Sequence, residues 1–143
     1  VTLEELLSNK KYGKIYIMLG INELGYDFQS IIKKYGELLN YVNGKQPNAA
    51  IFIQANLHVS KKRSDSDKYI NNKNIDRLNS ELSKSANGKS TFYIDVNPLF
   101  DDKDGNLSLD KTSDNAHLYA KYYTEWGEWI CKETAKVLKE RQS

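Results

Sequence analysis

Two short segments of the chain carry side chains that could move a proton and stabilise a developing negative charge. The first is Asp114-Asn115-Ala116-His117-Leu118, in which a carboxylate stands three residues before an imidazole. An imidazole titrates near neutral pH and suits general-base chemistry, and a nearby carboxylate can fix its tautomer and stabilise the imidazolium. The same spacing also fits an ordinary turn before a helix, so the segment alone leaves both interpretations open.

The second segment is Gly20-Ile21-Asn22-Glu23, which follows an apolar run. Gly20 would let the backbone turn sharply, and the Asn22 amide could then donate a hydrogen bond to an oxyanion. Such a donor contributes roughly 3 kcal/mol to acyl transfer. A plain strand-to-loop turn uses the same residue types, so this segment is also ambiguous by itself.

A nucleophile is missing from this set of groups. None of the serines follows a predicted strand and begins a predicted helix, which is the position of an activated serine in α/β enzymes. The alternation of strands and helices below leads independently to the expectation that part of the fold lies upstream of Val1.

The apolar patterns predict three strands and four helices that would position these segments. The predicted elements are a helix over 3–7, a strand over 15–19, a helix from Asp27 to Gly44, a strand over 49–53, a helix carrying Ile75, Leu78 and Leu82, a strand over 91–96 and a helix over 119–139. Residues 56–69 are predicted to form a polar loop, and the chain from 97 to 117 an irregular stretch.

Strands alternating with helices predict a single α/β domain over residues 1–143 with a parallel sheet. Both connecting helices should cover one face and the last helix the other. The strands look apolar on both faces, as buried parallel strands do. Because three strands are few for this architecture, we expect at least one strand and one helix to be missing. Sites in such sheets form at the carboxyl ends of strands, where both segments would lie.

Composition excludes several classes of function. The net charge of +2, from 21 basic and 19 acidic residues, gives no electrostatic reason to expect nucleic acid as a partner. One Cys and two His make a zinc site unexpected, and no cofactor is predicted. Cys131 cannot form an internal disulfide and is expected to pack as a small apolar group in the last helix.

The two segments together resemble conserved blocks of one enzyme family. The stretch from Tyr16 to Gly25 resembles the third block of SGNH (GDSL-type) hydrolases, Gly-x-Asn-Asp, and Asp114 to Leu118 resembles their last block, Asp-x-x-His. The order of the blocks and the elements between them also match. The resemblance extends over nearly the whole chain, which is similar to the C-terminal two-thirds of such a domain. The chain is particularly similar to SGNH proteins of Gram-positive gut bacteria.

The resemblance implies a three-layer, flavodoxin-like parallel sheet that is incomplete at its N-terminus. It also implies that His117 is the general base, Asp114 its orienting acid, Asn22 an oxyanion donor and Gly20 the residue that shapes the donor turn. The chain departs from the family pattern at Glu23, where an Asp is usual. The Gly-Asp-Ser block with the nucleophile and the second-block Gly are absent from the sequence.

The function implied is ester hydrolysis by a Ser-His-Asp mechanism in the complete protein, with this chain alone inactive. Small esters or acetylated glycans are the expected substrates, and an N-terminal fragment of the same protein is an expected partner. Glu23, Tyr26 and His58 are predicted to contact substrate, although a loop histidine such as His58 would ordinarily be just exposed. Family analogy favours a secreted or cell-surface location and leaves a cytoplasmic one open.

Two other interpretations stay open at this point. The chain could be a non-catalytic α/β fragment or a module that binds carbohydrate or another small ligand. A flavodoxin-like ligand binder using residues 20–26 ranks last, because that loop lacks a glycine pattern that would cradle phosphate.

Overall fold

A computed structural model describes residues 2–141 of the protein. Its elements in chain order are α1 (Leu3–Asn9), β1 (Lys14–Ile17), α2 (Phe28–Lys45), β2 (Ala50–Gln54), α3 (Lys61–Ser66), α4 (Asn72–Ser83), β3 (Thr91–Ile94), α5 (Asn97–Phe100) and α6 (Tyr123–Glu140). Short 3-10 turns cover Ile21–Glu23, Leu109–Lys111 and Ala120–Tyr122.

Several helices begin where the sequence provides a cap. Thr2 and Glu5 form a reciprocal capping box at the start of α1. The carboxylate of Asp27 accepts a hydrogen bond from the Ser30 N–H at the start of α2. Each cap satisfies backbone donors that the first helical turn leaves without partners.

The sheet is parallel, with strand order β1-β2-β3. Phe52 in the central strand stacks on Tyr16 of β1 at 4.8 Å and on Phe92 of β3 at 5.3 Å between ring centroids. Because the strands are parallel, their carboxyl ends at Ile17, Gln54 and Ile94 lie at one edge of the sheet. The loops at this edge carry both candidate segments.

Apolar clusters on opposite faces of the sheet confirm the predicted placement of the helices. On one face, strand residues pack with Ile31, Tyr35 and Val42 of α2 and with Ile75, Leu78 and Leu82 of α4. On the other face, Phe52 and Phe92 pack against the α6 side chains Trp129, Ile130, Val137 and Leu138. The result is a three-layer α/β arrangement in which every residue of the central strand except Gln54 is buried.

The prediction that β1 is a buried strand over residues 15–19 is wrong in extent and in burial. The strand ends at Ile17, Tyr16 is 38% exposed, and Leu19 is 53% exposed. The physical reason is that β1 is an edge strand of the described sheet, so nothing covers its outer side.

Two further expectations are corrected. Residues 61–66, predicted as loop, form the short helix α3. The Ser60 hydroxyl caps this helix by accepting a hydrogen bond from the Arg63 N–H. Cys131 is exposed rather than packed, because the inward side of α6 at this level is occupied by Ile130 and by the buried Thr134.

Candidate active site

The segment 114–117 folds into a tight turn around the carboxylate of Asp114. Its Oδ1 accepts hydrogen bonds from the backbone N–H groups of His117 at 2.7 Å and of Ala116 at 2.9 Å. Its Oδ2 lies 2.7 Å from Nδ1 of the His117 ring. The hydroxyl of Thr112 adds a weaker contact to Oδ1 at 3.2 Å. One carboxylate thus shapes the turn and orients the imidazole.

This geometry leaves the second ring nitrogen of His117 available. A carboxylate accepts but cannot donate, so Nδ1 carries the proton and Nε2 of the neutral ring presents a lone pair. The His117 side chain is 80% exposed, and Nε2 has no hydrogen-bond partner among residues 2–141. The backbone N–H of His117, its ring and the Ala116 N–H hold the pKa of Asp114 well below its usual range. Asp114 is therefore ionised whenever His117 could act as a base.

The segment 20–23 forms the other half of the candidate site. Gly20 has φ of 111°, in the left-handed region, and a Cβ added there would lie 3.1 Å from Leu78 Cδ2 of α4. Both the backbone conformation and the close approach of α4 favour glycine. Asn22 follows in the short 3-10 turn and is exposed, and no hydrogen bond holds its side-chain amide among the described residues. The amide is free to donate outward.

One loop contacts both turns and brings them to the same edge of the sheet. This loop, residues 55–60, is called the β2 loop because it follows β2 directly. The Asn56 amide donates to the carbonyl of Leu19, the residue before Gly20, at 3.1 Å. The Ser60 N–H donates to the carbonyl of Asn115 at 2.9 Å. In addition, Ile21 and Ala116 pack against the same apolar cluster.

His58 is buried, so the expectation of an exposed loop histidine is wrong. Its Nε2 lies 2.6 Å from Asp76 Oδ1, and its Nδ1 lies 2.9 Å from Asp101 Oδ2. Burial alone would lower the pKa of His58, but the hydrogen bonds and charges of Asp101 and Asp76 outweigh it and raise that pKa to about 9. With both nitrogens engaged by carboxylates, the ring offers no polar atom to a substrate.

Glu23 and Tyr26 line a cavity beside the Gly20 turn, which is compatible with the prediction that they contact substrate. The cavity has a volume of about 430 Å³ and lies between the end of β1 and α2. Its other lining residues are Leu19, Gly20, Ser30, Ile31, Lys34, Tyr35 and Leu38. Tyr26 itself is 74% exposed.

Sequence reasoning missed the buried polar residues that hold the β2 loop. Asn79 bonds the backbone N–H and carbonyl of Asn56, and Asn97 donates to the same carbonyl and accepts from the His58 N–H. Asn72 makes the equivalent pair of bonds with Val59. One signal was present in the sequence: Asn79 lies on the inward side of α4 with Leu78 and Leu82, where an apolar residue would be expected.

The described residues offer no cluster of His, Cys, Asp or Glu that could hold a metal ion. Within residues 2–141, no helix has the length and apolar content needed to cross a membrane.

Comparisons with known proteins place the fold. No family model matches the chain, and no curated protein matches it. One similar solved structure is a protein of Streptococcus pneumonia described as a candidate platelet activating factor. Its TM-score is 0.73 at 19% identity over 84% of this chain. Another is a carbohydrate esterase family 3 protein from Talaromyces cellulolyticus, with a TM-score of 0.63 at 17% identity over 94% of this chain.

The alignments cover 58% and 62% of those two proteins, so the chain corresponds to less than two thirds of either one. These likenesses match the parallel sheet flanked by helices and confirm the predicted architecture. The chain has the α/β fold of the SGNH hydrolases.

Proposed function

We propose that this chain supplies the general base and one oxyanion donor of a serine esterase whose nucleophile lies on a segment outside it. The observation that carries the proposal is the 2.7 Å contact between Asp114 and His117 Nδ1 on a ring whose Nε2 is exposed. An orienting acid, a correctly tautomeric imidazole and an accessible lone pair are the parts of a general base. The fold shared with a carbohydrate esterase supports this assignment at the level of architecture.

The chemistry follows from these groups. His117 Nε2 accepts the proton of the serine hydroxyl as its oxygen attacks the ester carbonyl, and Asn22 donates a hydrogen bond to the resulting oxyanion. His117 then returns the proton to the leaving alcohol. Water attacks the acyl-enzyme with the same base, which releases the acid and regenerates the serine. The net reaction consumes one ester and one water and yields one acid and one alcohol.

The uncovered side of β1 supports a nucleophile supplied from elsewhere. No serine hydroxyl among residues 2–141 is hydrogen bonded to His117. Beside β1, Met18 and Leu19 are exposed, the cavity next to Gly20 is open, and the buried hydroxyl of Tyr35 has no partner among the described residues. An upstream strand paired with β1 would cover these groups and end next to the Asn22 turn, where the serine is needed.

For the substrate we propose a small ester or an acetylated glycan. The site is open, because His117, Asn22 and Tyr26 are all exposed. The name of the Talaromyces neighbour points to carbohydrate substrates for that protein, and its likeness to this chain suggests the same substrate class to test here.

The direct test is hydrolysis of an aryl acetate by the full-length protein. His117→Ala should lower kcat by roughly a hundred- to ten-thousandfold, because general-base catalysis is lost. Ser113→Ala is the matched control, since Ser113 is exposed in the same turn and should leave kcat unchanged. A fluorophosphonate probe should label a serine outside this chain. Unchanged turnover in His117→Ala would remove His117 from the mechanism, and a labelled serine within residues 1–143 would overturn the proposal of an external nucleophile. The chain alone should show negligible turnover.

Asn22 can be tested separately as the oxyanion donor. Asn22→Asp keeps the side-chain shape and removes the N–H donor, so kcat should fall by about a hundred- to a thousandfold with KM little changed. Asn22→Ala should give a similar loss. If Asn22→Asp retains wild-type kcat, Asn22 does not bind the oxyanion.

A further inference from the structure

The β2 loop is buried and held by side chains, unlike most connections between elements, which run over the surface. Within it Ala55 and Ser60 are fully buried, and Asn56 and Val59 are nearly so. Its backbone groups are hydrogen bonded by three asparagine side chains from two other helices: Asn72 and Asn79 of α4 and Asn97 at the start of α5. Buried polar groups that are fully hydrogen bonded fix a segment in one conformation.

The two ends of this rigid loop reach the two halves of the candidate site. At its start, the Asn56 amide donates to the Leu19 carbonyl, immediately before the turn that presents Asn22. At its end, Ser60 makes two hydrogen bonds to Asn115, inside the turn that presents His117. The loop therefore spans the distance between the oxyanion donor and the base.

The two hydrogen bonds from Ser60 stabilise an unfavourable backbone conformation at Asn115. Asn115 has φ of 69°, the only positive φ of a non-glycine residue among residues 2–141. Asparagine tolerates the left-handed region better than most residues, but the conformation is still disfavoured. The Ser60 N–H holds the Asn115 carbonyl at 2.9 Å, and the Ser60 hydroxyl holds its Oδ1 at 2.8 Å.

The direction of the hydroxyl bond is fixed by its neighbours. The Ser60 Oγ also accepts a hydrogen bond from the Arg63 N–H, as the cap of α3. Its single proton is therefore directed to Oδ1 of Asn115, which can only accept.

We propose that Ser60 is a positioning residue for His117: its two hydrogen bonds to Asn115 hold the Asp114–His117 turn in register with the Asn22 turn through the β2 loop. Without them the turn loses its anchor to the buried frame, and the contact between Asp114 Oδ2 and His117 Nδ1 is held less firmly. The importance of this register for activity rests on the proposed esterase function. The anchoring itself does not, and it can be measured without a substrate.

The first experiment reads the His117 ring directly in the full-length protein. Long-range proton–nitrogen NMR spectra of histidine-labelled protein distinguish the Nδ1–H and Nε2–H tautomers, and His117→Ala assigns the signals. Ser60→Ala and Asn115→Gly should each reduce the dominance of the Nδ1–H form. Asn115→Gly is informative because glycine adopts the positive φ freely and leaves the Ser60 cap of α3 intact.

The second experiment uses the same variants in ester hydrolysis. Each should lower kcat by about ten- to a hundredfold with KM little changed, since a small misplacement of the base weakens catalysis without removing a reacting group. The double variant Ser60→Ala/Asn115→Gly should be no worse than either single variant, because both remove the same contact. Ser66→Ala is the control, since its hydroxyl bonds the Arg63 carbonyl within α3 and not Asn115.

The outcomes separate this inference from the proposed function. If Asn115→Gly leaves the His117 signals and kcat unchanged, the Ser60 hydroxyl acts only as a helix cap and the inference that its bond to Asn115 positions His117 is wrong. If both variants alter the His117 signals while the wild-type protein hydrolyses no ester, the anchoring is supported and the proposed function fails.

Discussion

The two histidines of this chain are each paired with acidic residues, yet they are suited to opposite roles. His58 is buried, and each of its nitrogens faces a carboxylate, Asp76 on one side and Asp101 on the other. His117 is exposed, and only Nδ1 is engaged, by Asp114. A ring with both nitrogens occupied is fixed in its charged form, whereas a ring with one free nitrogen can exchange a proton. Of the two histidines, only His117 therefore has a nitrogen available for the proton transfer that the proposed general base requires.

The largest expected effect tests the orienting acid of the exposed histidine. In the full-length protein Asp114→Asn should lower kcat for ester hydrolysis by up to about ten-thousandfold, because an amide can hold the wrong tautomer of His117. The unfolding free energy should change little, since Asp114 is about half exposed. Kinetics and denaturant unfolding of the same preparation measure both quantities. A variant that lost stability but kept kcat would make this pair structural, like that of His58.

The second effect tests the buried histidine by removing its ring. His58→Ala should lower the unfolding free energy by about 3 kcal/mol, because the Asp101 carboxylate would be left buried without a cation. His117→Ala is the matched control and should change it by less than about 0.5 kcal/mol, since its ring is exposed. Urea unfolding of the two variants makes the comparison. Equal losses would show that the difference in burial has no energetic consequence.

The third effect is the pH dependence of stability contributed by His58. Its pKa is raised from 6.5 to about 9 in the folded protein, so its contribution is fully present below pH 6.5 and is lost as the pH rises to about 9. We expect a loss of roughly 2 kcal/mol, less than the full shift implies because Asp76 is largely exposed. The difference in unfolding free energy between wild type and His58→Gln, followed from pH 6 to 9.5, measures it. A difference that stays constant over this range would contradict a charged His58.

The smallest effect separates the two carboxylates that flank His58. Asp76→Asn should cost less than about 1 kcal/mol, because the Asp76 side chain is 67% exposed and its charge is screened by solvent. Asp101→Asn should cost more, since that side chain is only 14% exposed. Urea unfolding at pH 7 gives both values. The reverse order would mean that contact distance, shorter for Asp76, outweighs burial.

The alternating pattern of strands and helices was predictable because it depends on local apolar spacing. The runs around Ile51 and Phe92 and the inward residues of α4 identify buried elements without reference to the rest of the fold. The Asp114–His117 contact was predictable for the same reason, since three residues on a turn bring the two side chains together. For Asn22, the sequence indicated the turn but not the exposure of the amide.

The features that the sequence did not reveal depend on contacts between distant segments. His58 is buried because Asp76 and Asp101, 18 and 43 residues away, converge on its ring. The Ser60–Asn115 bond joins residues 55 positions apart. The exposure of Tyr16 follows from what lies beside β1, which its own sequence does not encode. Local pattern therefore indicated the candidate reacting groups, and long-range polar contacts determine which of the two histidines has a ring nitrogen without a partner.

The edge strand β1 has a consequence for the behaviour of this chain in solution. An edge strand presents a row of unpaired backbone N–H and C=O groups. Another extended chain, including a second copy of this one, can form hydrogen bonds to these groups. With Tyr16 and Met18 exposed beside it, that edge is a site at which concentrated solutions of the isolated chain should form β-rich aggregates. The proposed upstream strand, paired with the four residues of β1, would remove this edge and with it the tendency to aggregate.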